Sequence, residues 1–364
     1  VFWILIYIYL FDWIRVGNVY NVFIVSFVMV IHRIRARDLA VVVEKGKGWV
    51  KSKVKFDSAL DVAKLFRKHG KLDLILDSKD ARFLKGSLID GNIRGERIGV
   101  LPDGGKLDKA FPLFALDLRV HDERSNVHWD VLFRNPSGSF CYLYSEFKIG
   151  KSKKAKYKRV DDFGKLLPRL KRNLMKNLDD EIALAILVLL ETKIRVGSEV
   201  YYKRNHHKGL STLKKKNLKI IGNEVVFDFV GKDGVPQRMV KKFPKGVVKE
   251  LEKVLKGKKA DDFVFLKGGR VLRDSDFEAA FERYCGTRFY PHIVRSHFAT
   301  RKAERFLKKS KVSKDDVRDF YLGLAGELGH KKFSKKSGKW EENFEVTLHY
   351  YVRPDLVEAI GKMV

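Results

Sequence analysis

Apolar positions along the chain change their spacing twice. Residues 1–32 hold the runs VFWILIYIYL and VFIVSFVMVI, split by FDWIRVGNVYN. Each run is about half of the ~20 residues that a membrane span needs, and Asp12 and Arg15 interrupt the stretch. A secretory leader would want a basic start and a small-residue cleavage site, and neither is seen. Met29 opens a charged, ordinary sequence. The expectation is therefore a native start near Met29, preceded by a hydrophobic extension; the alternative is a membrane anchor.

From about residue 40 to 150 short alternating stretches are punctuated by Gly, Pro, Asn and Asp. KLDLILD, GERIGVLPDGG and HWDVLFRNPSGSFCYLYSEF read as strands, the last as a hairpin around NPSG. SALDVAKLFRKHG reads as a helix with Leu60, Val62, Leu65 and Phe66 on one face and Gly70 as its stop. From about 160 the period becomes helical: DDFGKLLPRLKRNLMKNL, DDEIALAILVLLETKIRVG, KGVVKELEKVLKG, DSDFEAAFERYCG, VRSHFATRKAERFLKKS, KDDVRDFYLGLAGELG and RPDLVEAIGKMV. One β interruption, EVVFDFVGKDGVPQRMV, reads as strand, tight turn, strand. The fold class expected is α+β. The domains expected are a hydrophobic extension (1–32), a β-rich N-terminal domain (33–155) and a mostly helical domain with one small sheet (156–364). At 364 residues the chain can hold both cores.

Charge narrows the partner. Lys and Arg (75) outnumber Asp and Glu (45), a net charge of +30. A polyanion is the simplest complement, because each phosphate neutralised releases counterions. The run KIGKSKKAKYKRV (148–160) reads as a basic linker. Lys151, Lys153, Lys154, Lys156, Tyr157 and Lys158 in it, with Lys208 further on, are candidate phosphate contacts. Cys141 and Cys285 match no zinc spacing and imply no disulfide framework, which fits a reducing, intracellular compartment.

Five short stretches carry candidate chemistry. IRVGSEVYYKRNHHKGLSTL places Arg195 after an apolar helix and ends in a Gly-Leu-Ser-Thr-Leu turn. FDFVGKDGV puts Lys232 at a strand end. YPHIVRSHFAT contains His292 and Arg295, GELGHKKFS contains His330, and VTLHYYVRPDLVEAI contains Tyr350 and Tyr351. Taken singly, each has an ordinary reading: a lysine in a hairpin turn, a Gly-His helix end, an aromatic pair packing a C-terminal helix. In this order they resemble the type IB DNA topoisomerases of bacterial and viral type, over roughly residues 125–360.

The resemblance implies a DNA breaking-rejoining fold and a catalytic set. Arg195, Arg295 and His330 would contact the scissile phosphate, with His292 accessory to them. Lys232 would act as general acid and Tyr351 as nucleophile, forming a 3′-phosphotyrosyl intermediate. Phosphoryl transfer needs an in-line nucleophile, stabilised non-bridging oxygens and a proton for the leaving oxygen. These residues supply each, so no cofactor, metal or ATP is expected. The implied partner is double-stranded DNA, clamped by a monomer; the implied location is intracellular and DNA-associated, in cytoplasm or nucleoid or in a viral particle or factory. No membrane association is expected.

Two departures stand out. His292 occupies a place where lysine is common in topoisomerases and matches the tyrosine recombinase pattern instead. The stretch 331–346 is longer than in short members of the family and reads as an inserted polar loop. Tyr351 is preferred because the match continues through Pro354 and Glu358, whereas a recombinase register counted from Thr347 selects Tyr350. A tyrosine recombinase or integrase using the same residues is the alternative function, and a non-catalytic DNA-binding protein a third. His121, His128 and Asp130 raise the idea of a metal phosphoesterase, but Trp129-Asp130-Val131 fits the topoisomerase hairpin better.

Overall fold

The structure, a computed structural model, describes residues 29–123 and 128–364. The expectations about an upstream extension and an anchor fall mainly on residues 1–28 and lie outside the described residues. Among the described residues no helix is long and apolar enough to cross a membrane. The chain divides into two compact units at Lys151/Ser152.

The first unit is β-rich. Strands β1 (Ile31–Ile34), β2 (Val41–Lys45) and β3 (Gly48–Lys51) precede helix α1 (Asp57–Lys68), and β4 (Ser87–Ile89) and β5 (Asn92–Arg94) follow it. They form an antiparallel sheet in the order β3-β2-β1-β4-β5. This sheet begins at Ile31, inside the stretch that the sequence assigns to the extension. A two-stranded ribbon, β6 (Ile98–Val100) and β7 (Lys106–Phe111), comes next. Then β8 (Leu116–Val120), β9 (Val131–Arg134) and β10 (Phe140–Leu143) pair in the order β10-β9-β8. The NPSG hairpin forms as the sequence predicts, with Arg134 opposite Phe140.

Helix α1 buries Ala59, Val62, Ala63 and Phe66. This is the i, i+3, i+4, i+7 stripe of an amphipathic helix. Leu60 and Leu65, expected on that face, flank this stripe on either side round the helix and are only half-buried. KLDLILD is not a strand. Leu72–Ile75 form a 3₁₀ turn, and only Leu76 bridges to Leu84. Asp77 ends the segment by accepting from the backbone N–H of Lys79 at 2.9 Å and pairing with Arg33.

The second unit is mostly helical. The basic run is not a linker but part of α2 (Glu146–Met175), since Lys, Ala and Arg are good helix formers. That helix buries Tyr157, Val160, Phe163, Leu170 and Leu174. Helix α3 (Glu181–Thr192) is apolar almost all round and is buried at Ile182–Ile186, Val188 and Leu189. After α4 (Glu199–Asn205) come β11 (Leu218–Ile221), β12 (Glu224–Val230) and β13 (Pro236–Lys242), one antiparallel sheet in chain order. Helix α5 (Lys245–Leu255), the ribbon β14 (Leu266–Lys267) and β15 (Arg270–Val271), α6 (Asp274–Cys285), α7 (Ile293–Phe306) and α8 (Lys314–Glu327) follow.

The inserted stretch after His330 is a β-hairpin, not a loop: β16 (Lys331–Ser334) pairs with β17 (Lys339–Glu342), with Phe333 opposite Trp340 and their rings edge to face at 5.4 Å. The chain closes with α9 (Glu345–Tyr350) and α10 (Pro354–Gly361). A second core in this unit joins α7, α8 and α10 through Ala299, Ala303, Phe306, Leu324 and Leu356, and Tyr351 belongs to it.

Candidate active site

The Arg-x-Gly and Gly-Leu-Ser-Thr-Leu segments are two halves of one backbone clasp. Helix α3 ends at Lys193, in the left-handed region at φ 57°. The next residues run alongside the 209–212 turn: Leu210 N–H donates to Arg195 O and Ser211 N–H to Val196 O, each at 2.8 Å. Gly197, at φ 87°, meets Gly209 backbone to backbone. A Cβ on Gly209 would lie 2.5 Å from Arg195 O and 2.6 Å from Gly197 Cα, well inside any real carbon contact. Only glycine fits there, and the clasp fixes the main chain from which Arg195 projects.

Arg295 is held from the other side. It lies on α7 and is 2% exposed. Its guanidinium donates to Lys193 O at the end of α3, to Leu328 O at the end of α8 (2.7 Å) and to His330 Nε2 (2.9 Å). Helix C-termini carry partial negative charge, which suits a cation. Arg195 approaches the same imidazole nitrogen at 3.5 Å. Guanidinium is always a donor, so Nε2 must accept, and the proton of His330 sits on Nδ1, which faces Thr347 Oγ1 at 2.7 Å. Burial, reinforced by Arg295 and Arg195, pushes His330 down to about 3. His292 is likewise pushed down to about 3 by burial and then by Arg295 and Arg195. Both histidines are neutral at pH 7.

Lys232 lies in the β12–β13 turn, where Asp233 takes φ 62° and Gly231 N–H donates to Val235 O at 2.8 Å. It lines, together with Arg195, Arg295 and Lys208, two adjoining clefts of about 210 and 400 Å³. His330 lines the first and His292 the second. Among the described residues no carboxylate lies within 4.0 Å of Arg195, Lys232 or Arg295. Burying a cation without a counter-charge is costly. Of the three, Arg295 is buried, Arg195 half-buried and Lys232 exposed, and a cleft lined by all of them without a carboxylate suits an anion.

Tyr351 packs under this group. Its ring centroid lies 4.9 Å from that of His330 and 5.0 Å from that of His292. The Arg295 and Arg195 carbons stand 5.0 and 6.0 Å from the ring centre. Tyr351 is 2% exposed and Tyr350 65%. The structure thus brings Arg195, Arg295, His330, His292 and Tyr351 together, with Lys232 across the cleft, and leaves Tyr350 outside.

The basic run divides. Lys151, Lys153, Lys154 and Lys158 are exposed, whereas Lys156 is half-buried and Tyr157 buried. Two residues of the site were not picked out for it by the sequence. Thr347 enters the sequence pattern only as the residue from which the recombinase register counts to Tyr350. Gln237 donates to Gly329 O at 3.0 Å and so ties β13 to the loop carrying His330; no sequence signal points to it. The histidines near residue 125 are engaged elsewhere: His121 stacks on Trp129 at 4.3 Å, His128 lies 3.2 Å from the Tyr144 hydroxyl, and Asp130 pairs with Lys148.

Comparison with known proteins gives the family. The family model described as eukaryotic DNA topoisomerase I, catalytic core, matches residues 144–326, half of the chain. The match includes Arg195, Lys232 and Arg295 and ends before His330 and Tyr351. The DNA topoisomerase 1B of Acanthamoeba polyphaga mimivirus is 34% identical over 100 residues, 26% of this chain and 30% of the relative. That of Vaccinia virus (strain Copenhagen) is 36% identical over 101 residues, 27% of this chain and 32% of the relative. The matched segment spans about a third of the length of these relatives. Among solved structures, the XerH site-specific recombinase in its post-cleavage complex with palindromic difH aligns at 16% identity and a TM-score of 0.31, covering 52% of this chain and 50% of that one. With the family model running through half of the sequence and through three of the cations that line the cleft, the chain belongs to the type IB DNA topoisomerase family, with a catalytic core of the DNA topoisomerase I kind.

Proposed function

We propose that this protein relaxes supercoiled double-stranded DNA by transient cleavage of one strand. The observation that carries the reading is the buried Tyr351 ring packed against Arg295, beside a cleft of cations that lack carboxylate partners. The Tyr351 oxygen attacks the scissile phosphate, and the bond from phosphorus to the 5′-oxygen breaks. Arg195 and Arg295 hold the non-bridging oxygens through charge-assisted hydrogen bonds. Lys232 gives a proton to the departing 5′-oxygen. The 3′-phosphotyrosyl bond keeps the energy of the phosphodiester, so the 5′-hydroxyl reseals the strand by the reverse step without ATP.

His330 enters with a constraint. Its Nε2 accepts from Arg295 here, so it can donate to a phosphate oxygen only after its proton moves from Nδ1 to Nε2. The Thr347 hydroxyl supports either form, accepting from Nδ1–H or donating to bare Nδ1. His292 lines the adjoining cleft as a neutral accessory group. Lys208 and the exposed Lys151, Lys153, Lys154 and Lys158 hold flanking phosphates. The protein acts as a monomer on DNA and needs no metal or small-molecule cofactor. The first unit adds to DNA binding, and the enzyme works wherever its DNA lies within the cell or a viral factory.

Relaxation of a plasmid with no special site, in EDTA and without ATP, tests the reading. Stepwise relaxation is expected. An absolute need for a divalent metal contradicts it. Exchange between two defined sites without relaxation instead supports the recombinase reading, which His292 favours.

A further inference from the structure

We propose that Lys156 and Tyr157 are positioning residues that grip the main chain on both sides of Tyr351. The inference rests on the reading of Tyr351 as nucleophile. Lys156 Nζ donates to Tyr350 O, and Tyr157 Oη donates to Val352 O at 2.7 Å. The two carbonyls bracket Tyr351. A third tie follows one turn along α2, where Asp161 lies 3.5 Å from the guanidinium of Arg353.

The local sequence explains why outside donors are needed. Helix α9 is only six residues long and ends at Tyr350. The N–H groups of Tyr351 and Val352 both turn back to Thr347 O, at 3.0 and 3.2 Å. Had the helix continued, Tyr350 O would accept from the N–H of residue 354. That residue is Pro354, which has none. The carbonyl of Val352 is buried, and leaving it without a donor would cost ~1–3 kcal/mol; that of Tyr350 is nearer solvent, and α2 supplies the donor to each. The proline that closes the Tyr-x-x-Pro pattern thus leaves the segment dependent on its neighbour for a fixed conformation.

This placement also separates Lys156 from the other lysines of the run. Its ammonium stands 5.1 Å from the Tyr157 ring centre and 5.9 Å from that of Tyr351. Burial, helped by Lys153, pulls it down to about 8. A lysine held along a phosphate backbone would be exposed, as Lys153 and Lys154 are. A misplacement of the nucleophile by about 1 Å can cost 10²-fold in rate, so the grip sets how often the tyrosine oxygen is aligned.

The test measures, for the full chain in excess over supercoiled plasmid, the initial rate at which denaturant traps protein on DNA. Equilibrium binding of the same plasmid is followed across salt concentration. Wild type, Tyr157→Phe, Lys156→Met and Lys156→Arg are compared. Tyr157→Phe keeps the buried ring and removes only the hydroxyl, so the fold is preserved. Both Tyr157→Phe and Lys156→Met should slow attachment by ~10- to 100-fold with affinity and salt dependence unchanged, and Lys156→Arg should recover part of the rate. Attachment by both variants at the wild-type rate overturns the proposal. So does a Lys156→Met protein whose salt slope falls by about one while its rate at saturation is unchanged, since Lys156 would then be a phosphate contact. Failure of the wild type to attach at all removes the nucleophile reading itself and this inference with it, an outcome the wild-type control tells apart from the others.

Discussion

Arg295 donates to Nε2 of His330 at 2.9 Å, and that contact decides which tautomer the imidazole adopts. The proton is driven to Nδ1, where Thr347 receives it at 2.7 Å. Arg195 adds to the same constraint at 3.5 Å. The group expected to donate to phosphate is therefore held as an acceptor by the residues expected to bind phosphate beside it. An anion that draws Arg295 and Arg195 toward itself frees Nε2 to take up the proton.

Thr347 is the residue that allows the exchange, and substituting it tests the idea. Thr347→Val keeps shape but leaves Nδ1 buried without a partner, which costs ~1–3 kcal/mol of stability. Cleavage should slow by about tenfold beyond any loss of folded protein, on the scale of one lost hydrogen bond of 1.4 kcal/mol. Thr347→Ser should restore both. Urea unfolding and the rate of covalent attachment measure the two effects; a Thr347→Val enzyme with the wild-type cleavage rate would show that the hydroxyl has no part in the reaction.

Stability should fall with acid in a way set by the site histidines. Both His292 and His330 are held near 3 in the fold against 6.5 unfolded. A depressed pKa means that the unfolded chain takes up the proton first. The stabilisation is therefore whole above about 6.5 and is lost as pH falls toward 3. His292→Asn should flatten the dependence of unfolding free energy on pH by ~1.4 kcal/mol per unit inside that window. An unchanged slope would mean that His292 is not buried as described.

Much of the site was legible because the chemistry sits in short local patterns. The Arg-x-Gly and Gly-Leu-Ser-Thr-Leu segments are separated by only α4, and their glycines mark a backbone contact that tolerates no Cβ. The sequence that follows favours Tyr351 over Tyr350, and the structure buries the first ring and leaves the second exposed. What was not legible depends on pairings distant in sequence. Gln237 reaches Gly329 across 92 positions, and Lys156 reaches Tyr350 across 194. Lysine-rich sequence gives no sign that one ammonium of the run turns inward. The inserted stretch after His330 looked like a loop because its alternation is mostly lysine and serine; only Phe333 and Trp340 mark the face along which it pairs. KLDLILD reads as a strand because Leu72, Leu74 and Leu76 alternate, but Leu72–Ile75 wind into a 3₁₀ turn and only Leu76 is left to bridge to Leu84.

The role of Lys232 separates cleanly from that of the arginines. Lys232→Ala should slow cleavage of ordinary DNA by ~10²- to 10⁴-fold, the range for one general acid. Replacing the 5′ leaving oxygen by sulfur removes the need for a proton, so that substrate should largely restore the variant. Arg195→Ala should gain nothing from sulfur, because it stabilises charge on the other oxygens. Equal recovery of both variants on the sulfur substrate would remove the assignment.

The account turns on Tyr351, and the direct measurement is the identity of the residue left on DNA. Wild-type protein is mixed with plasmid, stopped with denaturant in mid-reaction and digested, and the phosphopeptide is sequenced. Tyr351→Phe and Tyr350→Phe are run beside it. The buried Tyr351 should carry the phosphate, attached to a DNA 3′ end. Tyr351→Phe, which keeps the ring and its packing, should bind DNA but form no adduct. Tyr350→Phe should keep most of the activity, since that side chain stands in solvent. A phosphate on Tyr350, or covalent attachment by Tyr351→Phe, would contradict the account.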